Sequence, residues 1–523
     1  MTPKSMTRTN LTPKSLTLAV SFACGLLLAT TSPVAAAEPL SPASGVVRAT
    51  ASTGVMVAYT LVVPKSVSRS NLQTRAVIAH GLPCPKVEVT DKRGETSRLP
   101  MTKRVPGATT VSAFASLRAC QANLPKKLAS AKVGGRKVPA ALPATFNKIA
   151  LFGDTGCRVD DDLHQDCASP TQWPLAKNSK MIAKERADVA IFTGDFYYRE
   201  ARCGDTKADP DPESPVNRPV IDKCGGTPEP VPGADFRDTD YGWMADVFIP
   251  MAPLLSSTPI LPVRGNHEEC FRAGNGWFLF FDSSPLGPAA CAPATAYGKV
   301  PEGVVTPTWK FDMPISDRRT LRTVVVDSAN GRNSEVTSWT PKQRPAYEKA
   351  DQLSAPAKGQ ESWLLTHRPM FGVTSTAEDS GLTSWNNWTS IDQTAAAYGL
   401  IKNYTAMIAS HIHVAQVVQI PGQPAQVVVG NGGSIPDSSD LSTYPLPKFG
   451  PLVGGDALPL PNTPAYAKPY PTASYLWTTI KYGYVVAQPG GKAQKWTLTQ
   501  KDFTGDVYAS CRMSGKQTTC KDA

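Results

Sequence analysis

Six short apolar runs constrain the fold more than anything else in this chain: KIALF (148–152), VAIFT (189–193), ILPVR (260–264), TVVVD (323–327), WLLT (363–366) and MIAS (407–410). Each is too short for a buried helix and reads as a strand. Between them, SPTQWPLAKNSKMIAKERA and GWMADVFIPMAPLLSS carry the spacing of amphipathic helices. Strands alternating with helices predict an α/β sheet domain, whose binding sites lie where strands end at their carboxyl side. The residues just past each run are therefore the ones to weigh. Asp154, Asp195, Asn266, His367, His411 and His413 all stand one to three residues or so beyond a run, and four of the six histidines in the chain, His267 with the three just named, fall in these loops. A single Gly-Asp is ordinarily a turn and a single His ordinarily structural; five such loops in one chain point to a shared site.

The 523 residues divide into three segments on composition. Residues 1–37 read as a secretory signal: Lys4, Arg8 and Lys14, then an apolar stretch from Leu16 to Ala29, then Ala35 to Ala37 before Glu38. The apolar stretch is shorter than the roughly 20 residues a membrane span needs, and no later run is long enough, so no span is expected after cleavage. Residues 38–142 alternate β-favouring segments such as GVMVAYTLVV and TRAVIAH with turns, which predicts a small all-β sandwich. The Gly-, Pro- and Lys-rich AKVGGRKVPAALPATFNK reads as a linker, and residues 143–523 as the α/β domain. Two Pro/Gly/Asp-rich stretches, one within 203–224 and one beginning near 436, read as long surface loops.

Apart from Cys24 in the signal, ten of the 11 cysteines remain, an even number that argues for disulfides in an exported chain, secreted or periplasmic. Neighbours close short loops: Cys84 with Cys120, Cys157 with Cys167, Cys203 with Cys224, Cys270 with Cys291, Cys511 with Cys520. The chain is mildly basic, and its Lys and Arg are scattered rather than gathered into runs, so no nucleic-acid stripe is indicated while an anionic substrate is compatible. Oligomeric state is not legible. The sequons at Asn387 and Asn403 read as chance matches.

The loops GDTG, GDFYY, GNHEE, THRP and SHIH resemble the five signature blocks of the calcineurin-like metallophosphoesterases, and specifically the purple acid phosphatase branch, over about residues 146–433. Two departures stand out: Ser410 replaces a glycine, and the further histidines that some members carry after the fourth block are absent. The resemblance implies an αββα metallophosphoesterase sandwich and two metal ions. Asp195 would bridge them. Asn266, His367 and His411 complete a set that suits a divalent ion, Fe, Zn or Mn. Asp154, His413 and the phenolate of Tyr198 complete the other, which the resemblance makes Fe(III); spacing favours Tyr198 over Tyr197. The ions would supply hydroxide that attacks a small phosphorylated substrate, a phosphomonoester in the first instance, with His267 holding the phosphoryl group or protonating the leaving oxygen. Arg368 is a candidate phosphate clamp or a surface ion pair, His164 a candidate pocket residue, His80 structural, and Trp385, Trp388 and Tyr398 core or roof. The same metals would serve a phosphodiesterase or nucleotidase, and a binding protein with a vestigial site is the rival from another class.

Overall fold

The structure is a computed structural model. It describes residues 54–104, 114, 116–159, 165–200, 238–270, 272–283, 291, 305–331, 336–378, 381–387, 399–436 and 474–523. The chain separates into two units, Met1–Pro42 and Ala43–Ala523. The first lies outside the described residues, and every described strand and helix belongs to the second.

The N-terminal segment supplies β1 (Val55–Val62), β2 (Leu72–Ala79), β3 (Lys86–Asp91), β4 (Thr96–Pro100), β5 (Thr102–Arg104), β6 (Leu117–Asn123), β7 (Leu128–Val133) and β8 (Arg136–Val138). The apolar runs then form β9 (Ile149–Phe152), β10 (Val189–Phe192) and β11 (Ile260–Pro262). The helix Leu175–Glu185 joins the first two of these, and the helical turns Asp240–Trp243, Met244–Phe248 (a π turn) and Ala252–Ser257 precede the third. After the helix Gly274–Phe280 come β12 (Trp309–Ser316), β13 (Arg319–Val325), the helix Val336–Leu353, and β14 (Gln360–Leu365). A hairpin, β15 (Val373–Glu378) and β16 (Gly381–Asn387), leads to β17 (Ala406–Ala409), β18 (Ala415–Gln419), β19 (Ala425–Val429) and β20 (Tyr475–Thr479). The chain ends in a meander of β21 (Gly483–Pro489), β22 (Lys495–Asp502), β23 (Val507–Ser514) and β24 (Gln517–Asp522).

Two large sheets result. One has eleven strands in the order β24-β23-β22-β21-β9-β10-β11-β1-β2-β6-β5, the other seven in the order β12-β13-β14-β17-β19-β18-β20. Alternation along β9, β10 and β11 explains why both faces of the first sheet are apolar. Ile149, Leu151, Val189, Ile191 and Leu261 share one core with Leu321, Trp363, Leu365, Ile408 and Val427 of the second sheet. Ala150, Phe152, Ala190, Phe192 and Ile260 point the other way, into a core shared with Leu175, Ile182, Val247, Phe248 and Leu254 of the helices. Sheet faces sheet, helices cover the outside, and the central strands are buried on both sides.

The N-terminal strands divide between two sheets. Strands β3, β4, β7 and β8 form their own, in the order β4-β3-β7-β8. The remaining four continue the eleven-stranded sheet, β1 pairing in parallel with β11 through Leu61 and Ile260. Arg75 and Arg104, both buried, donate to the last carbonyls of the helix Gly274–Phe280: Arg75 to Leu279 and Phe280, Arg104 to Phe278 and Leu279. Tyr59 adds a bond to Phe280 O at 2.7 Å. Carbonyls that a helix end leaves unpaired are thus satisfied by cations on neighbouring strands.

Part of the stretch whose composition reads as a linker is ordered: Gly134 and Gly135, both at positive φ, turn β7 into β8. Two adjacent glycines supply the backbone that a tight hairpin demands. The helix Val336–Leu353 and the C-terminal meander are not anticipated from the sequence. The proposed loop within 203–224 and most of the one after 436 lie outside the described residues.

Candidate metal centre

Every strand-end residue is delivered to one place. From the eleven-stranded sheet, β9 is followed by Gly153-Asp154, β10 by Gly194-Asp195 and β11 by Gly265-Asn266-His267; from the seven-stranded sheet, β14 is followed by His367 and β17 by Ser410-His411, with His413 just before β18. All are buried except His267, which is partly so. Ligand atoms of Asp195, His367 and His411 lie within 4.8 Å of one another, as do those of Asp154, Asp195 and His413. Asp195 belongs to both triads. Tyr198 Oη is 2.6 Å from Asp195 Oδ2, 2.6 Å from His413 Nε2 and 3.4 Å from Asp154 Oδ1. Asn266 Oδ1 is 2.9 Å from His367 Nε2. The seven residues therefore form two overlapping groups, one of Asp154, Asp195, Tyr198 and His413, the other of Asp195, Asn266, His367 and His411. Tyr197 turns away and stacks on Trp243 at 5.3 Å in the core.

The loops are shaped for this. Asp154, Asp195 and His411 hold positive φ, at 52°, 57° and 72°. Gly194, at φ 102°, allows the close approach: a Cβ there would meet Gly265 N and His367 Nδ1. Glu268 ties two loops together, accepting from the backbone N–H groups of Asp195 and Gly265 on one oxygen and of Phe196 and Tyr197 on the other. Burial, then the neighbouring Asp195 charge, push its carboxyl well above the usual range. Asp246, on the π turn, accepts from Cys157 N and Tyr198 N and pairs with buried Arg199 at 2.8 Å. A second buried pair, Arg264 with Asp327 at 3.2 Å, links the Asn266 loop to the end of β13. Next to it, Ser328 Oγ accepts from the backbone N–H groups of His367 and Arg368.

The histidines are oriented as ligands require. His367 Nδ1 lies 2.8 Å from the Thr193 carbonyl and His413 Nδ1 2.6 Å from the Ile435 carbonyl. A carbonyl only accepts, so each Nδ1 carries the proton and each Nε2 presents its lone pair to the cluster, the arrangement that holds imidazoles on metals. Burial, followed by the charge of Arg368, holds His411 well below the usual histidine range and hence neutral. Neutral nitrogens, an amide oxygen, two carboxylates and a phenol converging in a buried space fit a pair of metal ions. The Ser410 departure also has an explanation: its hydroxyl donates to Thr193 O at 2.8 Å, sharing that acceptor with His367.

His267 stands beside the cluster with its ring 3.8 Å from that of Tyr198 and its Nε2 3.9 Å from Asp195 Oδ2. Its Nδ1 is 2.6 Å from Glu200 Oε1, and Arg272 Nε approaches the same oxygen at 3.5 Å. Burial and Arg272 lower the His267 pKa while Glu200 opposes them. Reading the sequence alone passes over Glu200, although it sits two residues beyond Tyr198 in GDFYYRE. Arg368 is buried rather than at the surface, and its Nη1 is 2.9 Å from His411 Nε2. His80 is exposed at the end of β2; His164, Trp388 and Tyr398 lie outside the described residues, as does the side chain of Trp385.

Among the described residues four disulfides join Cys84 to Cys120, Cys157 to Cys167, Cys270 to Cys291 and Cys511 to Cys520, a set proper to an oxidising compartment. Cys203 and Cys224 lie outside the described residues. Among the described residues no helix is long and apolar enough to cross a membrane. Asn403 spends its amide on Asp351 at 3.0 Å.

Two facing sheets with a ligand cluster at their strand ends define a metallohydrolase of the αββα type. The family model of calcineurin-like phosphoesterases matches residues 148–415, about half the chain, and the protein belongs to that family. Membership implies a dimetal centre and phosphorylated substrates. Among solved structures, the purple acid phosphatase PPD1 from yellow lupin (Lupinus luteus) seeds is 13% identical over 89% of this chain and 74% of its own, with a TM-score of 0.46. A structure of PhoD is 12% identical over 90% and 92%, at 0.49, and a dimetal phosphatase from Danio rerio 10% identical over 71% and 99%, at 0.35. A comparison with curated protein sequences gave no match.

Proposed function

We propose that the chain is an exported phosphatase of the purple acid phosphatase type, hydrolysing phosphomonoesters with Fe(III) and a divalent ion, Fe, Zn or Mn. The observation that carries this reading is the position of Tyr198: a phenol oxygen within 2.6 Å of both Asp195 and His413, and 3.4 Å from Asp154, is a hard anionic donor suited to a trivalent ion. Asp154, Asp195, Tyr198 and His413 would hold that ion, and Asp195, Asn266, His367 and His411 the divalent one. When bound, the ions supply a nucleophile at moderate pH and neutralise charge on the phosphoryl group. His267 is the general acid: Glu200 takes its Nδ1 proton as a hydrogen bond, which aims Nε2 at the site, where it delivers a proton to the leaving oxygen. Residues 1–37 are the export signal, to the periplasm or the medium, residues 38–142 an N-terminal β domain and 143–523 the catalytic domain.

The test is a visible spectrum and metal analysis of protein prepared with iron and air present, alongside hydrolysis of p-nitrophenyl phosphate and its diester. The expected protein contains iron and shows a broad tyrosinate-to-iron band that Tyr198→Phe abolishes and Tyr197→Phe leaves. An active, iron-free, colourless protein rejects the assignment, and a preference for the diester rejects the monoester part of it.

A further inference from the structure

Charge is distributed unevenly along this chain. Between Gly54 and Lys148 there are sixteen Lys and Arg against three Asp and Glu, whereas from Ile149 to the end 34 basic residues face 39 acidic ones. The small sheet of β3, β4, β7 and β8 gathers much of this excess on one face. Its inner side, Val87, Val89, Ala131, Val133 and Val138, packs into the main core. Its outer side must therefore carry the alternate residues.

Strand register places them. Glu88 pairs with Arg98 on one side and Lys132 on the other, and Lys132 pairs with Lys137. One row across the four strands thus reads Arg98, Glu88, Lys132, Lys137, about 15 Å wide. The one acid in it meets Arg98 at 3.9 Å with both side chains largely in solvent, 71% and 44% exposed, so it offsets little. Because Asp91 pairs with Leu128, the turn after β3 and the turn before β7 lie at the same end of the sheet. They bring together Lys92, Arg93, Lys126 and Lys127, all exposed. Asp91 beside them has one carboxylate oxygen occupied by the backbone N–H groups of Arg93 and Glu95.

We infer that this outer face is a docking surface for a bilayer bearing anionic phospholipid. The cations form a two-dimensional array on a sheet face rather than lining a groove, which matches a planar array of phosphates. Segment 54–148 contains three aromatic residues, Tyr59, Phe114 and Phe146, and all are buried. The face therefore has no ring on which a base could stack, which disfavours single-stranded nucleic acid, and no aromatic anchor to enter the bilayer. What it offers is peripheral, electrostatic attachment, each cation near the membrane strengthening binding severalfold. The surface stands independently of the metal centre.

The experiment uses the mature full-length chain and sedimentation with unilamellar vesicles of phosphatidylcholine, with or without phosphatidylglycerol. Binding is expected with phosphatidylglycerol at low salt, absent with phosphatidylcholine alone and lost at high salt. Changing Lys126, Lys127, Lys132 and Lys137 together to Glu should weaken partitioning by roughly a hundredfold or more, with the melting temperature retained. An equal charge change at Lys402, Lys492, Lys495 and Lys521, exposed elsewhere, should weaken it far less. No sedimentation with anionic vesicles at low salt overturns the inference. So does equal loss in the two quadruple variants, or binding to a short single-stranded oligonucleotide without binding to vesicles.

Discussion

The two sheets meet at the metal centre but contribute different chemistry. Loops of the eleven-stranded sheet bring oxygens, from Asp154, Asp195, Tyr198 and Asn266; loops of the seven-stranded sheet bring nitrogens, from His367, His411 and His413. Their bracing differs as well. The oxygen side is held by carboxylates that collect backbone N–H groups, Glu268 and Asp246. On the nitrogen side, carbonyls receive ring protons, and one of them, Thr193 O, belongs to the oxygen side. Neither sheet presents a whole site. Each proposed ion needs donors from both, so metal binding and the mating of the sheets are linked.

The largest break in this arrangement should come from Asp195→Ala, because that residue lies in both triads. Metal analysis should find both ions lost and turnover reduced by several orders of magnitude. Asp154→Ala should deplete only the ion proposed between Asp154 and His413, and His367→Ala only the one proposed between His367 and His411; equal loss of both ions in all three variants would show that the triads are not separable.

His267 and Glu200 probe chemistry rather than metal retention. His267→Ala should keep both ions while turnover falls by roughly 100-fold or more. Glu200 raises the His267 pKa, so Glu200→Gln should lower it, leave less of the protonated acid at a given pH and move the alkaline limb of the rate profile toward lower pH. A profile displaced upward, or unmoved, would remove Glu200 from its positioning role.

Smaller effects are expected on the bracing itself. Asp327→Asn breaks a buried ion pair with Arg264 and should cost about 3 kcal/mol in urea unfolding. Ser410→Ala removes one of two donors to Thr193 O and should cost about 1 kcal/mol or less, with metal content kept.

Legibility tracks the range of the interactions. The six apolar runs are strands because burial on both faces needs apolar side chains at every position, a signal carried by four or five consecutive letters. Six of the seven candidate ligands stand out because they follow those runs closely, and Tyr198 enters only through the block GDFYY. Glu200, Glu268 and Asp246 are harder to read: each acts on a partner far along the chain, Glu200 on His267, Glu268 on Asp195 and Asp246 on Cys157, and although Glu268 stands in GNHEE and Glu200 just past GDFYY, neither position tells what the carboxyl holds. The hairpin at Gly134-Gly135 shows the converse error, in which residues chosen for a tight turn have the composition of a linker. The helix Val336–Leu353 escapes notice for lack of a clear apolar stripe.

Left-handed backbone at Asp154, Asp195 and His411 has a consequence for how such a protein drifts. Residues with a Cβ hold that conformation at a cost of roughly 1 kcal/mol or more each, and Asp154 and Asp195 in addition bury carboxylates. The candidate ligand positions are thus among those where the metal-free chain is least at ease. Replacement of His411 by glycine would relieve strain as it removed a candidate ligand. Selection for folding and selection for activity pull in opposite directions at these three sites, so a duplicate released from its task should lose its ligands while its two sheets grow more stable.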